Sequence, residues 1–296
     1  MATSPYQLAE LAAKRAQRLE VVLESGITRY WRYPASNSPE AAQTILFVHG
    51  YRGNHHGLEA IAGALEDFTV LIPDLPGFGE SEPLPRTHNI DGYTTWLLQF
   101  VNTLQLADAL VLGHSFGTIV SASAAARTLR NPLILVNPIS SFGFGGVKAL
   151  LAQAQNLFYW LGATLPDAAG NALLKAPIMV RLMSGALAKT KDRKLRAWIH
   201  QQHRDNFSVY ANRQVAIEGI RAGAENTVVE FAPSLDQRVL LIAGELDDIT
   251  SVKDQIRSVG FFPHAELEVL KNVGHLTHYE TPNQVADLVR EFARSL

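Results

Sequence analysis

Apolar residues recur along this chain in two textures that take turns. Short unbroken runs such as Thr44–Val48, Thr69–Ile72, Ala109–Leu112 and Pro132–Val136 read as strands buried on both faces. Between and after them lie stretches with helical character: Leu58–Leu65, Thr95–Leu106 and Gly117–Thr128. Ahead of these, Leu19–Leu23 and Ile27–Tyr33, split by Ser25-Gly26, read as a β-hairpin. From about Ser140 to Asn226 the alternation stops and the pattern is helical, with no strand-like run. It resumes with Val239–Ala243 (strand), Ser251–Val259 (helix), Glu266–Leu270 (strand) and Pro282–Arg294 (helix).

Strands alternating with helices predict an α/β fold, with a mostly parallel central sheet flanked by helices. The helical interruption then reads as a cap inserted after the sixth strand. The expected organisation is an N-terminal helix over 1–18, a core from 19–139 and 227–296, and a helical cap over 140–226. Ser4 and Pro5 mark a helix start, and Leu8, Leu11, Ala12 and Leu19 are expected to dock as one face on the body. Parallel sheets place their sites in loops at the carboxyl ends of strands, so each functional side chain should follow a strand.

Composition narrows the function. Of 296 residues, 47% are hydrophobic and 18% charged, enough apolar material for a large core. A net charge of −2 gives no reason to expect nucleic acid as a partner. The absence of cysteine excludes a thiol nucleophile and thiolate metal sites and fits a reducing, cytoplasmic setting. No apolar run approaches the ~20 residues that span a bilayer, and the basic Lys14, Arg15 and Arg18 break any secretion-type core near the start.

The strongest chemical signal is Gly113-His114-Ser115-Phe116-Gly117, a G-x-S-x-G pattern between a strand and a helix. Such a turn strains the serine and crowds its neighbours, which is why glycine flanks it. The Phe116 amide, at the helix start, is expected to stabilise an oxyanion. Serine needs a base, and His275 follows the Glu266–Leu270 strand. The nearby His278 reads as a loop or helix-start residue. The orienting acid should follow Val239–Ala243, where Glu245, Asp247 and Asp248 all qualify; the loop after Pro132–Val136 offers Asn137 and Ser140 but no carboxylate. After Thr44–Val48, the His49-Gly50-Tyr51-Arg52 loop supplies the second oxyanion donor, the Tyr51 amide. Arg52 is expected in a salt bridge or in solvent, with binding of a substrate anion as the other use. His55 and His56 are expected to bind no metal, since no carboxylate at ligand spacing completes a site.

With these residues goes Asp74-Leu75-Pro76-Gly77-Phe78-Gly79-Glu80-Ser81, and beyond His275 stands Glu280-Thr281-Pro282. Together they resemble the α/β-hydrolase superfamily along nearly all the chain after the N-terminal helix. The resemblance implies that the acid is Asp247, with Asp248 as the alternative, and that the base is His275. It implies that Asp74 and Ser81 belong to a structural turn. Related dehalogenases and epoxide hydrolases carry an aspartate nucleophile, so Ser115 points instead to acyl transfer.

The expected activity is therefore hydrolysis of an ester with an apolar acyl or aromatic group, through Ser115, without metal or cofactor. Rival uses of the same residues are carbon–carbon bond hydrolysis and acyl transfer; a receptor-like binding protein is the rival of another class. The 140–226 region offers Phe142, Phe144, Phe158, Tyr159, Trp160, Met179, Leu182 and Trp198 as walls for an apolar pocket, with a flexible edge at Gly143, Gly145 and Gly146.

Overall fold

The computed structural model describes residues 3–37, 42–141 and 157–296. Its centre is one eight-stranded sheet, with strands β1 (Gln17–Leu23), β2 (Gly26–Tyr33), β3 (Thr44–Val48), β4 (Thr69–Pro73), β5 (Leu110–His114), β6 (Leu133–Val136), β7 (Val239–Gly244) and β8 (Ala265–Leu270). The spatial order is β1-β2-β4-β3-β5-β6-β7-β8. β1 and β2 form the expected hairpin and β2 meets β4 antiparallel, while every pair from β4 to β8 is parallel. The unbroken apolar runs follow from this placement: β4, β5, β6 and β7 are buried at every residue.

Alternate residues of each strand feed two cores. Leu46, Val48 and Val111 face the side covered by α3 (Ile90–Thr103) and α4 (Phe116–Arg127). Ile45, Phe47 and Leu112 face the side covered by α2 (Glu59–Ala64) and by Val285, Val289 and Phe292 of the last helix, Pro282–Arg294.

α1 (Pro5–Arg15) docks on α2 more narrowly than its composition suggests. Leu8 and Ala12 are buried where α1 crosses α2, but Leu11 lies outward, and Leu19 belongs to β1 rather than to this helix. At that crossing Gly63 lies so close to α1 that a Cβ would stand 1.9 Å from the Leu8 carbonyl oxygen.

Between β6 and β7 the described chain is helical: residues 157–164, then α5 (Asp167–Leu174), α6 (Pro177–Leu187), α7 (Arg193–Asn206), α8 (Arg213–Glu225) and the short α9 (Val228–Phe231). The Asp74–Ser81 turn receives this insertion, with Gly79 N donating to Val209 O at 3.0 Å and Ala211 N to Gly77 O at 2.8 Å. Asp74 holds the turn together by accepting from the amides of His55 and Glu80, each at 2.8 Å. After β7 come α10 (Val252–Val259), a short α11 (Thr277–Glu280) that periodicity does not foretell, and α12 (Pro282–Arg294).

Candidate functional site

β5 ends at His114 and α4 begins at Phe116, so Ser115 alone makes the turn, at φ 52° and ψ −117°. That left-handed φ is costly for a residue with a Cβ and persists only where neighbours enforce it. Gly117 allows the close packing, since a Cβ there would lie 2.1 Å from the Val48 carbonyl oxygen. At Gly113 a Cβ would lie 2.6 Å from the Gly117 carbonyl oxygen. Ser115 is left partly exposed at the carboxyl end of the sheet.

His275 Nε2 lies 2.8 Å from Ser115 Oγ, and its Nδ1 lies 2.8 Å from Asp247 Oδ2. Three strand ends thus contribute one side chain each. Their loops are drawn together by Leu246 N donating to Val273 O at 2.8 Å, and by Gly244, where a Cβ would stand 2.2 Å from the Gly274 carbonyl oxygen. Burial alone would raise the Asp247 carboxyl; the His275 imidazole and donors from Ile249 and Asn137 outweigh it and hold the group below the ordinary carboxylate range. Asp248 and Glu245 point elsewhere: Asp248 pairs with Lys189, and Glu245 accepts from the Asn272 amide at 2.9 Å.

A family model described as the alpha/beta hydrolase fold matches residues 43–282. The chain belongs to the α/β-hydrolase family. Among its relatives, Lipase 1 of Psychrobacter immobilis is 24% identical over 274 residues, covering 87% of this chain and 79% of that protein. A thermophilic esterase structure from Thermogutta terrifontis superposes with a TM-score of 0.74 at 20% identity, covering 95% of this chain and 99% of the other. The enol-lactonase structure from Burkholderia xenovorans LB400 gives 0.76 at 18% identity, covering 93% and 100%.

In this α/β-hydrolase the loop after β3 lies against the elbow, with a Cβ on Gly50 only 3.2 Å from Ser115 Cβ. Among the described residues, neither the Tyr51 nor the Phe116 amide donates a hydrogen bond. The Tyr51 phenol donates to the Ala216 carbonyl at 2.5 Å, which fixes the loop under α8. His49 stiffens the same loop: Leu75 N donates to its Nε2 at 2.9 Å, so the proton sits on Nδ1, 2.8 Å from Gly50 O. Burial pushes His49 down to about 4.

Arg52 is neither salt-bridged nor solvated, contrary to expectation. It is fully buried, and its guanidinium donates to the carbonyls of Phe207 (2.9 Å) and Leu174 (3.0 Å) and to Ser208 Oγ (3.1 Å). The rings of Phe207 and Tyr210 cover it at 4.6 and 5.2 Å. No carboxylate among the described residues pairs with it, so it serves to join the β3 loop to the insertion.

One histidine expectation holds and another changes. His278 does stand at a helix start, as the second residue of α11, and its ring is buried, 4.0 Å from His114 and 4.1 Å from Tyr279 between centroids. Near His55 and His56 a carboxylate does stand at helical spacing: ligand atoms of His55, His56 and Glu59 lie within 4.8 Å of one another. Their facing atoms are already engaged, His55 Nδ1 with Asp74 Oδ1 and His56 Nδ1 with Glu59 Oε2, each at 3.0 Å.

Of the aromatic residues expected over Ser115, Tyr159 packs edge-on to Tyr51 with ring centroids 6.3 Å apart. Phe158 is buried beside it, 5.2 Å from Tyr159. Trp160 and Leu182 face outward, 59% exposed each, and Trp198 leans on Tyr279. Phe142, Phe144 and the glycines at 143, 145 and 146 lie outside the described residues. Sequence reasoning left Asn137 and Thr277 without a role, although Asn137 follows a strand and Thr277 follows His275 by two.

Proposed function

We propose that this α/β-hydrolase cleaves carboxylic esters through an acyl-enzyme on Ser115. One observation carries the reading: the unbroken hydrogen-bonded line from Asp247 through His275 to Ser115, both links 2.8 Å long. In the first step Oγ attacks the ester carbonyl while His275 Nε2 takes its proton. The C–O bond to the alcohol then breaks, and His275 returns the proton to that oxygen. Water, deprotonated by His275, hydrolyses the acyl ester and restores Ser115. Asp247 keeps the proton on Nδ1 in the resting state and stabilises the imidazolium when it forms. The unengaged amides of Tyr51 and Phe116 are the donors assigned to the tetrahedral oxyanion.

The helical insertion, in this reading, is the cap that selects the acyl group. Support comes from α8, where a Cβ on Gly223 would stand 3.3 Å from the Phe116 ring and one on Gly219 3.1 Å from the Tyr51 ring. With Tyr159 alongside, the surroundings of these two donors are mostly apolar, as ligand sites are.

The test is kcat/KM on p-nitrophenyl esters of rising acyl length, with Ser115→Ala as control. Each CH₂ buried by the pocket adds about 0.8 kcal/mol, so the rate constant should rise about fourfold per carbon from acetate until the pocket ends. Ser115→Ala should lose roughly 10⁴-fold or more with its melting temperature kept, and a fluorophosphonate probe should label Ser115 in the parent protein. A steady fall from acetate removes the apolar pocket; an unlabelled Ser115 with an active Ser115→Ala removes the mechanism.

A further inference from the structure

Asn137 follows β6 directly, in the left-handed region at φ 48°, with no exposed surface. Its Nδ2 donates to Asp247 Oδ2 at 2.9 Å and to the Gly274 carbonyl at 3.2 Å. Its Oδ1 accepts from Thr277 Oγ1 at 2.5 Å. The carboxylate and the carbonyl can only accept, so the amide's NH₂ end must face them. Its oxygen then needs a donor on the far side, and the buried Thr277 hydroxyl supplies one.

We propose that Asn137, braced by Thr277, is a positioning residue that locks the acid loop and the base loop of the site in one register. The inference rests on the acyl-enzyme reading of Ser115 and extends it. One amide touches the acid itself and the peptide group immediately before His275, so it spans the two loops whose alignment sets the Asp247–His275 contact. The other Asp247 oxygen is held by the amides of Ile249 and Thr250, at 2.8 and 3.3 Å. Asn137 therefore completes the set that stops the carboxylate from rotating about its Cβ–Cγ bond. Without it, Oδ2 keeps His275 as its partner, but the carboxylate plane and the Gly274 peptide each lose a fixed point. A misplacement of about 1 Å at a reacting group is worth about a hundredfold in rate.

The amide also brings a partial positive charge to Asp247 without adding a net one. The other titratable groups near this contact are His114 and His278, both buried and held in the neutral form, and the outer Lys189–Asp248 pair. A carboxylate at 137 would thus stand as an uncompensated like charge beside Asp247, and the two acids would hold a shared proton to a higher pH than Asp247 alone.

Three variants test this in the intact chain. Asn137→Gly suits the left-handed backbone and removes the amide; kcat should fall roughly 10- to 100-fold with KM changed less than about threefold. Asn137→Asp keeps the shape; the acid limb of its kcat/KM profile should move up by about one pH unit, which a loss of packing would not do. Thr277→Val should lower kcat about fivefold, as expected for one lost hydrogen bond, and Thr277→Ser should restore it. Fluorophosphonate labelling of Ser115 in the parent protein, and ester turnover lost in Ser115→Ala, separate the two ideas. If both hold while Asn137→Gly and Thr277→Val keep parental kcat and Asn137→Asp keeps the parental acid limb, the positioning role is wrong and the nucleophile stands. If Asn137→Gly fails to fold, the Thr277→Val and Thr277→Ser pair and the Asn137→Asp profile decide.

Discussion

The two neighbouring acids after β7 differ in everything but their chemistry. Asp247 is buried and accepts from Asn137, from the amides of Ile249 and Thr250, and from His275; Asp248 is half-exposed at its side chain and paired with a lysine. Asp247→Asn should lower kcat/KM roughly 10³- to 10⁴-fold, since an amide cannot hold the Nδ1–H tautomer in the same way. Asp248→Asn should change it less than about threefold, because an exposed ion pair contributes little. A steady-state comparison of the two variants decides, and equal losses would overturn the distinction. Ser115 and His275 could be picked from the chain because glycine spacing and strand ends mark them. Asn137 could not: its importance lies in what it touches 110 positions away, and asparagine after a strand is ordinary turn chemistry. Arg52 misled for a related reason. Charge normally signals solvent or a counter-ion, and only the folded insertion shows carbonyls filling that need.

At the scale of elements, β3 to β7 were visible as apolar runs, because strands buried on both faces leave few polar positions to blur the pattern, whereas the edge strands β1 and β8 carry exposed polar positions and were read from their β-branched and alternating apolar residues. Helix faces were less legible. The phase of α1 depends on where one glycine of α2 lets it approach, and α11 is too short to show a period. Gly63 allows a direct test of this contact, with Gly185 as the opposite case. Gly63→Ala would force a methyl group into the Leu8 carbonyl, so urea unfolding should show a loss of about 1–3 kcal/mol. Gly185→Ala, inside α6 with nothing within 4 Å of the new methyl, should gain up to about 1 kcal/mol from helix propensity. A neutral Gly63→Ala would mean that α1 is not held as described.

For the molecule as a whole, four buried histidines are pushed far down toward the neutral form, and a fifth, His88, is lowered less. Burial, the largest cause in each, depresses His49 and His203 to about 4, His114 to about 3, and His278 well below its ordinary value. The unfolded chain binds protons at these groups from about pH 6.5 downward while the folded chain does not. Stability is therefore fully present above that pH and is lost as the pH falls toward the folded values. By pH 5 each such histidine removes about 2 kcal/mol, a large share of the 5–15 kcal/mol typical of a domain. Urea titrations at pH 7.5 and pH 5 should differ by several kcal/mol, and a gap under about 1 kcal/mol would contradict the burial of these rings. Asp247 acts in a lower window: as the pH falls below about 4 the unfolded carboxyl takes up a proton while the folded one, held lower, resists it, so this contribution is lost as the pH drops further. The strand order bears on how the molecule reaches this state. β6 pairs with β7 across the whole helical insertion, and the Ser115–His275 contact closes a separation of 160 residues. Closing loops of that length carries an entropy cost that only later contacts offset, and topologies dominated by distant pairings fold slowly. In refolding from denaturant, local helices and the β1–β2 hairpin can form early, while β7 and β8 can complete the sheet only once the intervening chain is gathered in. Turnover is thus a clock for the last step of assembly, whereas helical signal reports the first.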